Sequence, residues 1–211
     1  MPAVPASRQE PSLEGSLLPP HDGPELVAAL RAASPAAAAV LYDRFAPKVQ
    51  RVLARVLGVD AELADLLQEV FLRALEAVDR IDDPQRLEGW LCAIAVHTAR
   101  EQIRRRSRAR WLAMLGWGMP AEPPARSQVV EDSEALRRTY AVLEKMPSDE
   151  RIAFALRFVD GMELVAVAEA CGVSLATIKR RLSKAQQRFV GLARNEPALE
   201  PWLEGGGRWT R

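Results

Sequence analysis

Residues 163–185 read ELVAVAEACGVSLATIKRRLSKA and decide the fold of the C-terminal part of the chain. Ala168 lies four positions before Gly172, so its small side chain lets two helices cross closely. The glycine can adopt the positive φ that a tight turn requires, and Ser174 is placed to cap the second helix. The stretch therefore predicts a helix–turn–helix.

The second helix of this motif carries a dense basic face. Residues 179–188 hold five Lys or Arg and no acid, a local charge of +5. An ordinary helical hairpin has a similar apolar pattern, but the basic outer face favours a helix that enters the major groove of DNA. The residues predicted to bind DNA are Ser174, Leu175, Ala176, Thr177, Lys179, Arg180, Arg181, Ser183 and Lys184.

Charge is also segregated upstream, although the whole chain has a net charge of only +1. Residues 61–90 contain eight acids and three arginines, and residues 100–110 contain six arginines and one acid. Basic helical clusters attract phosphates and release counterions. Two such clusters, each on the last helix of its own predicted domain, indicate nucleic-acid binding.

Length and periodicity predict an all-α protein of two small domains joined by a flexible linker. The 211 residues are 48% hydrophobic, which is enough for packed cores. Apolar residues of segment 61–79 recur at three- and four-residue steps, as in an amphipathic helix. The predicted boundaries are a disordered, proline-rich arm (1–24), a helical domain (25–108), a linker (109–132), the helix–turn–helix domain (133–194) and a flexible tail (195–211).

Turn-forming residues predict several helix ends. Ser34 and Pro35 suit a helix start, and Gly58 suits a C-cap. Pro47 lies between them and is expected to interrupt or kink the helix. Serines 133 and 148 are expected to cap helices of the second domain.

The sequence lacks the signatures of enzymes, metal sites and membrane proteins. Two cysteines favour a reducing compartment, and two histidines exclude most histidine-based metal sites. No catalytic triad, metal-ligand cluster or glycine-rich phosphate loop is found, so neither a cofactor nor a catalytic residue is predicted. No signal peptide or long apolar run is present. We expect a soluble cytoplasmic protein that does not insert into membranes.

Three features remain open to two interpretations from the residues alone. Trp90 and Tyr42 could stack on unpaired bases or belong to the core. His97 could be a polar base reader or an ordinary surface histidine. The acidic helix face around Asp65 and Glu69 could dock a protein or simply be solvated, with Glu69 paired to Arg73.

Three segments resemble a known family. DLLQEVFLRAL (65–75), RLEGWLCAIAVHTAREQIRRR (86–106) and CGVSLATIKRRLSKA (171–185) occur in the order and spacing of bacterial RNA polymerase sigma factors. The similarity is greatest to the extracytoplasmic-function (ECF) subfamily of the sigma-70 family. It covers about residues 36–108, as region two, and 133–192, as region four.

The resemblance implies a promoter-specificity subunit that binds core RNA polymerase, recognises the −10 and −35 promoter elements and melts DNA. Region four would lie on the β flap and read the −35 element with its last helix, and an anti-sigma factor would hold the protein inactive. Docking on the β′ clamp is implied for Asp65, Leu66, Gln68, Glu69 and Arg73. Binding and melting of the −10 element are implied for Trp90, His97, Arg100, Arg104, Arg105 and Arg106.

The chain departs from the family pattern at two places. His97 stands where many relatives carry Asn, and MELVAVAEACG (162–172) lacks the aromatic residue and paired acids often found there. Two other functions remain as alternatives, a stand-alone helix–turn–helix regulator and a helical adaptor. The regulator would need no polymerase-docking face, and the adaptor would be indifferent to DNA.

Overall fold

The computed structural model describes residues 23–58, 62–116 and 134–204. Helices dominate these ranges and no strand occurs in them, which confirms the all-α prediction. In chain order the helices are α1 (Gly23–Arg31), α2 (Pro35–Leu57), α3 (Leu63–Ala77), α4 (Leu87–Met114), α5 (Glu134–Glu144), α6 (Ser148–Phe154), α7 (Leu164–Cys171), α8 (Leu175–Ala193) and α9 (Glu200–Glu204).

Helices α1 to α4 form the first domain. Helices α2, α3 and α4 pack against one another, and α1 lies on α2. Leu41, Leu53, Val70 and Leu91 are fully buried or nearly so at the centre of this bundle. The apolar stripe of α3 that the sequence predicts faces this core, and the acidic residues of the same helix therefore face outward.

The two ends of α2 confirm the predicted signals, whereas its middle does not. The Oγ atom of Ser34 accepts a hydrogen bond from the Ala37 N–H at 3.4 Å, and Gly58 ends the helix with φ of 87°. The predicted interruption at Pro47 does not occur, because α2 continues through this residue as one helix of 23 residues. Phe45 and Val49 pack into the core on either side, and their burial offsets the hydrogen bond that proline cannot donate.

Helices α5 to α9 form the second domain. Phe154 of α6 stacks on Phe189 of α8 with ring centroids 4.4 Å apart. The turn between α7 and α8 contains Gly172 with φ of 65°, and the Ser174 Oγ accepts a hydrogen bond from the Thr177 N–H at 3.2 Å. The predicted helix–turn–helix is therefore confirmed, including its glycine turn and its serine cap.

Several boundaries differ from the predicted ones. Helix α1 begins inside the predicted arm, α4 continues six residues past position 108, and Pro147 precedes α6, with Ser148 as its first helical residue. Residues 197–204 of the predicted flexible tail form a 3₁₀ turn and α9, because Leu199 is buried in the core of the second domain. The rest of the arm and tail, positions 117–132 of the linker and the predicted cap at 133 lie outside the described residues.

The two domains pack against each other, a relation that the sequence leaves open. Helices α6 and α7 lie on α4, and buried apolar residues of both domains form one continuous core. Arg151 of α6 is 5% exposed and donates from Nε to the Val56 carbonyl (3.0 Å) and from Nη2 to the Leu57 carbonyl (3.1 Å). These carbonyls end α2 and have no partner within their own helix. Burial lowers the pKa of Arg151 to about 10, so the guanidinium remains charged at neutral pH.

Candidate nucleic-acid interface

Helix α8 presents an exposed row of polar and basic side chains. Ser174 and Thr177 fix its first turn, since their side chains hydrogen-bond to each other as well as to the backbone. Leu175 is 40% exposed at this end, where an apolar contact with a thymine methyl group is chemically possible. The other exposed residues of the predicted DNA-binding set are Ala176, Lys179, Arg180, Ser183 and Lys184.

The cations of this exposed row have no ion-pair partner in the described part of the chain, so they can bind phosphates or bases without first breaking a salt bridge. Arg181 is different. Its Nη2 lies 3.1 Å from Asp149 Oδ2, and its buried Nη1 makes no hydrogen bond with any described residue. The sequence therefore predicts the outward face of α8 correctly but includes one arginine that packs inward.

Helix α4 carries the second set of predicted DNA-binding residues. His97 and Arg104 are exposed, and His97 Nδ1 lies 3.6 Å from Glu101 Oε1. Trp90 is half-buried against the core of the bundle. Tyr42, the other aromatic candidate, is 41% exposed and packs on Phe71 with ring centroids 4.8 Å apart. Both aromatic residues therefore have a structural role, and each keeps part of its ring accessible.

The remaining arginines of the α4 set are held by acids. Arg105 Nη2 lies 3.4 Å from Glu62 Oε1, and Arg106 donates a hydrogen bond to the same carboxylate. Arg100 Nε donates to Asp149 Oδ1 at 3.0 Å, across the contact between the domains. The basic cluster of α4 is therefore partly neutralised, which its sequence does not reveal.

Some of the residues predicted to dock polymerase lie on the outward side of α3. Asp65 and Gln68 are exposed, and Arg73 bridges Glu69 (2.5 Å) and Glu101 of α4 (2.6 Å). These four side chains of α3 lie on one outward side of the first domain. The Glu69–Arg73 pair that the sequence suggests is formed, and it extends to a second helix.

Leu66 does not belong to that outward face. It is 6% exposed and forms part of the core, because it follows the apolar stripe of α3 rather than the acidic one. Leu72, which the sequence does not single out, is 62% exposed on the same helix. Leu72 therefore adds apolar area to the acidic surface of α3.

Further ion pairs cross the domain contact, and sequence reasoning missed all of them. Arg86, just before α4, binds Glu169 of α7, and Arg55 Nε of α2 lies 3.8 Å from Asp160 Oδ1. These two pairs and the Arg100–Asp149 pair share one arrangement. In each of them the first domain supplies the arginine and the second domain supplies the acid. The sequence gives little sign of these ion pairs between domains. An acid such as Asp149 in a first helical turn is already explained by its interaction with the helix dipole.

The described residues were also searched for metal sites, membrane-spanning helices and reactive cysteines. Within them no cluster of His, Cys, Asp and Glu is suited to a metal ion, and no helix is long and apolar enough to span a membrane. Cys92 and Cys171 are buried free thiols, and burial raises the pKa of each to about 11. Both are therefore poor nucleophiles at neutral pH.

Comparison with known proteins identifies both domains. Residues 41–109 match Sigma-70 region 2, and residues 136–188 match Sigma-70, region 4. The ECF RNA polymerase sigma factor SigE of Mycolicibacterium smegmatis is 30% identical over 176 residues, which cover 81% of this chain and 68% of the relative. The chain belongs to the ECF sigma factors.

Other relatives agree with this assignment. The ECF sigma factor SigW of Bacillus subtilis is 24% identical over 70% of this chain and 83% of its own. The solved structure of the sigma factor RpoE in complex with the anti-sigma factor NepR from Bartonella quintana is similar in fold, with a TM-score of 0.54 and 22% identity. It covers 74% of this chain and 95% of that one.

The family assignment settles the general function. The protein is a promoter-recognition sigma subunit of RNA polymerase, as the resemblance in the sequence implied. Sigma factors bind core polymerase and promoter DNA, and they are not an enzyme class. Which residues of this sigma factor perform each step is a separate question.

Proposed function

We propose that the sigma factor reads its −35 element with the exposed row of α8 and its −10 element with the outward side of α4. The observation that carries the assignment is a set of exposed cations, Lys179, Arg180 and Lys184, beside a capped helix start; none of them forms an ion pair with another described residue. A helix end presented in this way can enter a major groove, with its first residues against base edges and its cations near phosphates.

In the same proposal, the −10 element is melted against α4. His97 and Arg104 are already accessible, and the half-buried Trp90 offers a ring on which an unstacked base could lie. Arg100, Arg105 and Arg106 would contact the DNA backbone after leaving their acidic partners. Phosphates can replace carboxylates because both are anionic acceptors for the guanidinium group.

Core polymerase would bind through the outward side of α3, at the β′ clamp, and through the second domain, at the β flap. Asp65, Gln68 and Glu69 supply negative charge, Arg73 orients Glu69, and Leu72 adds apolar area. We further propose that an anti-sigma factor regulates the protein and that the protein acts in the cytoplasm beside the polymerase. It would bind no cofactor and contribute no catalytic step, because the polymerase performs the chemistry.

Run-off transcription tests this proposal. Purified sigma factor and bacterial core polymerase are mixed with a pool of promoter fragments, and we expect discrete start sites that core alone does not use. The variant Asp65→Lys/Glu69→Lys should weaken core binding about tenfold or more by charge reversal. Glu25→Lys/Asp43→Lys makes the same change in net charge at two exposed acids of the first domain outside α3 and should leave binding unchanged.

The outcomes separate the parts of the proposal. Unchanged core binding by the α3 variant, with its helical circular dichroism intact, would move the docking face elsewhere. Absence of any polymerase binding by the wild-type protein would contradict the proposal as a whole and favour a stand-alone helix–turn–helix regulator.

A further inference from the structure

The C-terminal end of α4 extends beyond the core that the rest of the helix helps to form. The last buried residue of α4 is Ile103, and the helix continues from there to Met114 without another one. At 1.5 Å per residue, this end is about 16 Å long. Packing within the described residues therefore does not explain which side chains it carries.

Three large apolar side chains are exposed at this end, and we call them the α4 tip. The exposed fractions are 56% for Trp111, 78% for Met114 and 49% for Leu115. They lie within about one helical turn of one another, so their apolar surfaces are contiguous. Exposure of such a cluster to water is unfavourable, and a contiguous exposed apolar patch marks an interaction site.

A set of arginines, which we call the α4 collar, precedes the tip. Its members are Arg104, Arg108 and Arg110, which are exposed and form no ion pair with another described residue. Arg105 and Arg106 differ, because both lie against Glu62. The collar therefore gives this end of α4 a positive charge that no described acid compensates.

The collar and the tip follow each other along one outward face of the helix. At about 100° per residue, Arg104, Arg108, Trp111 and Leu115 fall within about 60° of one another. Arg108 and Leu115 are separated by about 10 Å along the helix axis. The headgroup layer of a bilayer is about 5–8 Å thick on each side. A helix end with this spacing can place its cations against lipid phosphates while its apolar side chains reach the acyl boundary.

We infer that the α4 tip and the α4 collar bind the surface of a membrane that contains anionic lipids. Arginines near an anionic surface raise the affinity, and exposed apolar side chains add to it by leaving water. The contact involves one leaflet only, because no helix among the described residues is long and apolar enough to span a membrane. The inference goes beyond promoter recognition and does not rest on the proposed roles of α4 and α8.

The chemistry of the tip favours lipid over nucleic acid or protein. Single-stranded nucleic acid binds through basic residues and stacked aromatic rings, but Met114 and Leu115 carry no ring on which a base could stack. A protein partner of this helix end would have to supply both an apolar groove and acids beside it. An anionic bilayer supplies phosphates and then an apolar layer, in the order in which the collar and the tip occur.

Sedimentation with vesicles tests this inference on the full-length protein. We expect binding to vesicles of equimolar phosphatidylglycerol and phosphatidylcholine, and binding about tenfold weaker or less to phosphatidylcholine alone. Arg108→Gln/Arg110→Gln should weaken binding to the anionic vesicles roughly 25-fold at low salt, or about fivefold for each charge removed. Arg51→Gln/Arg80→Gln is the matched control, because it removes two exposed arginines of the first domain outside α4 and should have little effect.

The apolar contribution is tested separately. Trp111→Ser/Met114→Ser should weaken binding to the anionic vesicles about tenfold or more, because less apolar area leaves water. Leu72→Ser/Val165→Ser removes two exposed apolar side chains elsewhere in the chain and should leave vesicle binding unchanged. All four side chains are exposed, so both variants should keep the helical circular dichroism of the wild type.

A dye attached at the tip locates the contact. The native thiols Cys92 and Cys171 are buried, so an environment-sensitive thiol dye reacts mainly with Met114→Cys in a protein that carries this substitution. We expect its emission to shift to the blue with the anionic vesicles and not with phosphatidylcholine alone. The same dye on Leu72→Cys should show no shift.

Several results would overturn the inference. They are absence of wild-type binding to the anionic vesicles, equal binding to both kinds of vesicle, and unchanged binding by both the collar and the tip variants. If the tip variant keeps vesicle binding but loses affinity for single-stranded DNA or core polymerase, the tip belongs to that partner instead. Run-off transcription contains no lipid, so its failure would contradict the proposed function and leave the vesicle result standing.

Discussion

The two basic helices of the sigma factor have the same local charge of +5 in sequence but present it in different ways. On α8, Lys179, Arg180 and Lys184 extend into solvent, while Arg181 and Arg188 pair with acids of their own domain. On α4, Arg105 and Arg106 are bound by Glu62, and Arg100 is bound by Asp149 of the second domain. The difference follows from the neighbours of each helix. Helix α4 lies between α3 and the second domain, and α8 exposes one whole side. A count of charges therefore predicts where nucleic acid could bind, and only the packing shows which cations are immediately available.

The largest effect is expected on the exposed helix. Arg180→Ala should weaken binding to the −35 element by roughly 5- to 150-fold, equivalent to about 1–3 kcal/mol for a direct base contact. Stability should not change, because the side chain is exposed. Fluorescence anisotropy with specific and scrambled duplexes measures the loss, and Arg194→Ala, an exposed arginine just after α8, is the control. An equal loss on both duplexes would make Arg180 a phosphate contact.

An effect of comparable size is expected where the second domain contacts the end of α2. Arg151→Met should lower the free energy of unfolding by about 1–3 kcal/mol, because the Val56 and Leu57 carbonyls lose their donors. Urea unfolding followed by circular dichroism measures the change. Arg137→Met removes an exposed arginine of α5 and should have little effect. Unfolding that is identical for both variants would show that the domain contact contributes little stability.

The smallest effect is expected at the other acid that neutralises α4. Glu62→Gln should release Arg105 and Arg106 and raise non-specific DNA affinity about two- to threefold, with a steeper dependence on salt. Binding titrations at several salt concentrations provide the measurement. Glu76→Gln removes the same charge from an exposed position of α3 and separates local release from the general charge effect. If both variants gain the same increase in non-specific DNA affinity, the pairing with Glu62 does not restrain Arg105 and Arg106.

Local signals predicted much of the fold because they act within a few residues. Ser34, Gly58, Gly172 and Ser174 all perform the roles that their types favour. Pro47 does not interrupt its helix, since tertiary burial of its neighbours outweighed the local cost. Leu66 was assigned to the docking face by its motif, although its position in the apolar stripe places it in the core.

The sequence by itself determined the helix–turn–helix, the segregation of charge and the family resemblance, because each depends on residue type at short spacing. The tertiary structure decided which of those residues meet. Arg100 and Asp149 are 49 positions apart, and Arg151 and Val56 are 95 apart, so no periodicity within a helix could pair them. Their approach depends on how two separately formed bundles pack, and that packing minimises the exposure of apolar surface from both bundles at once.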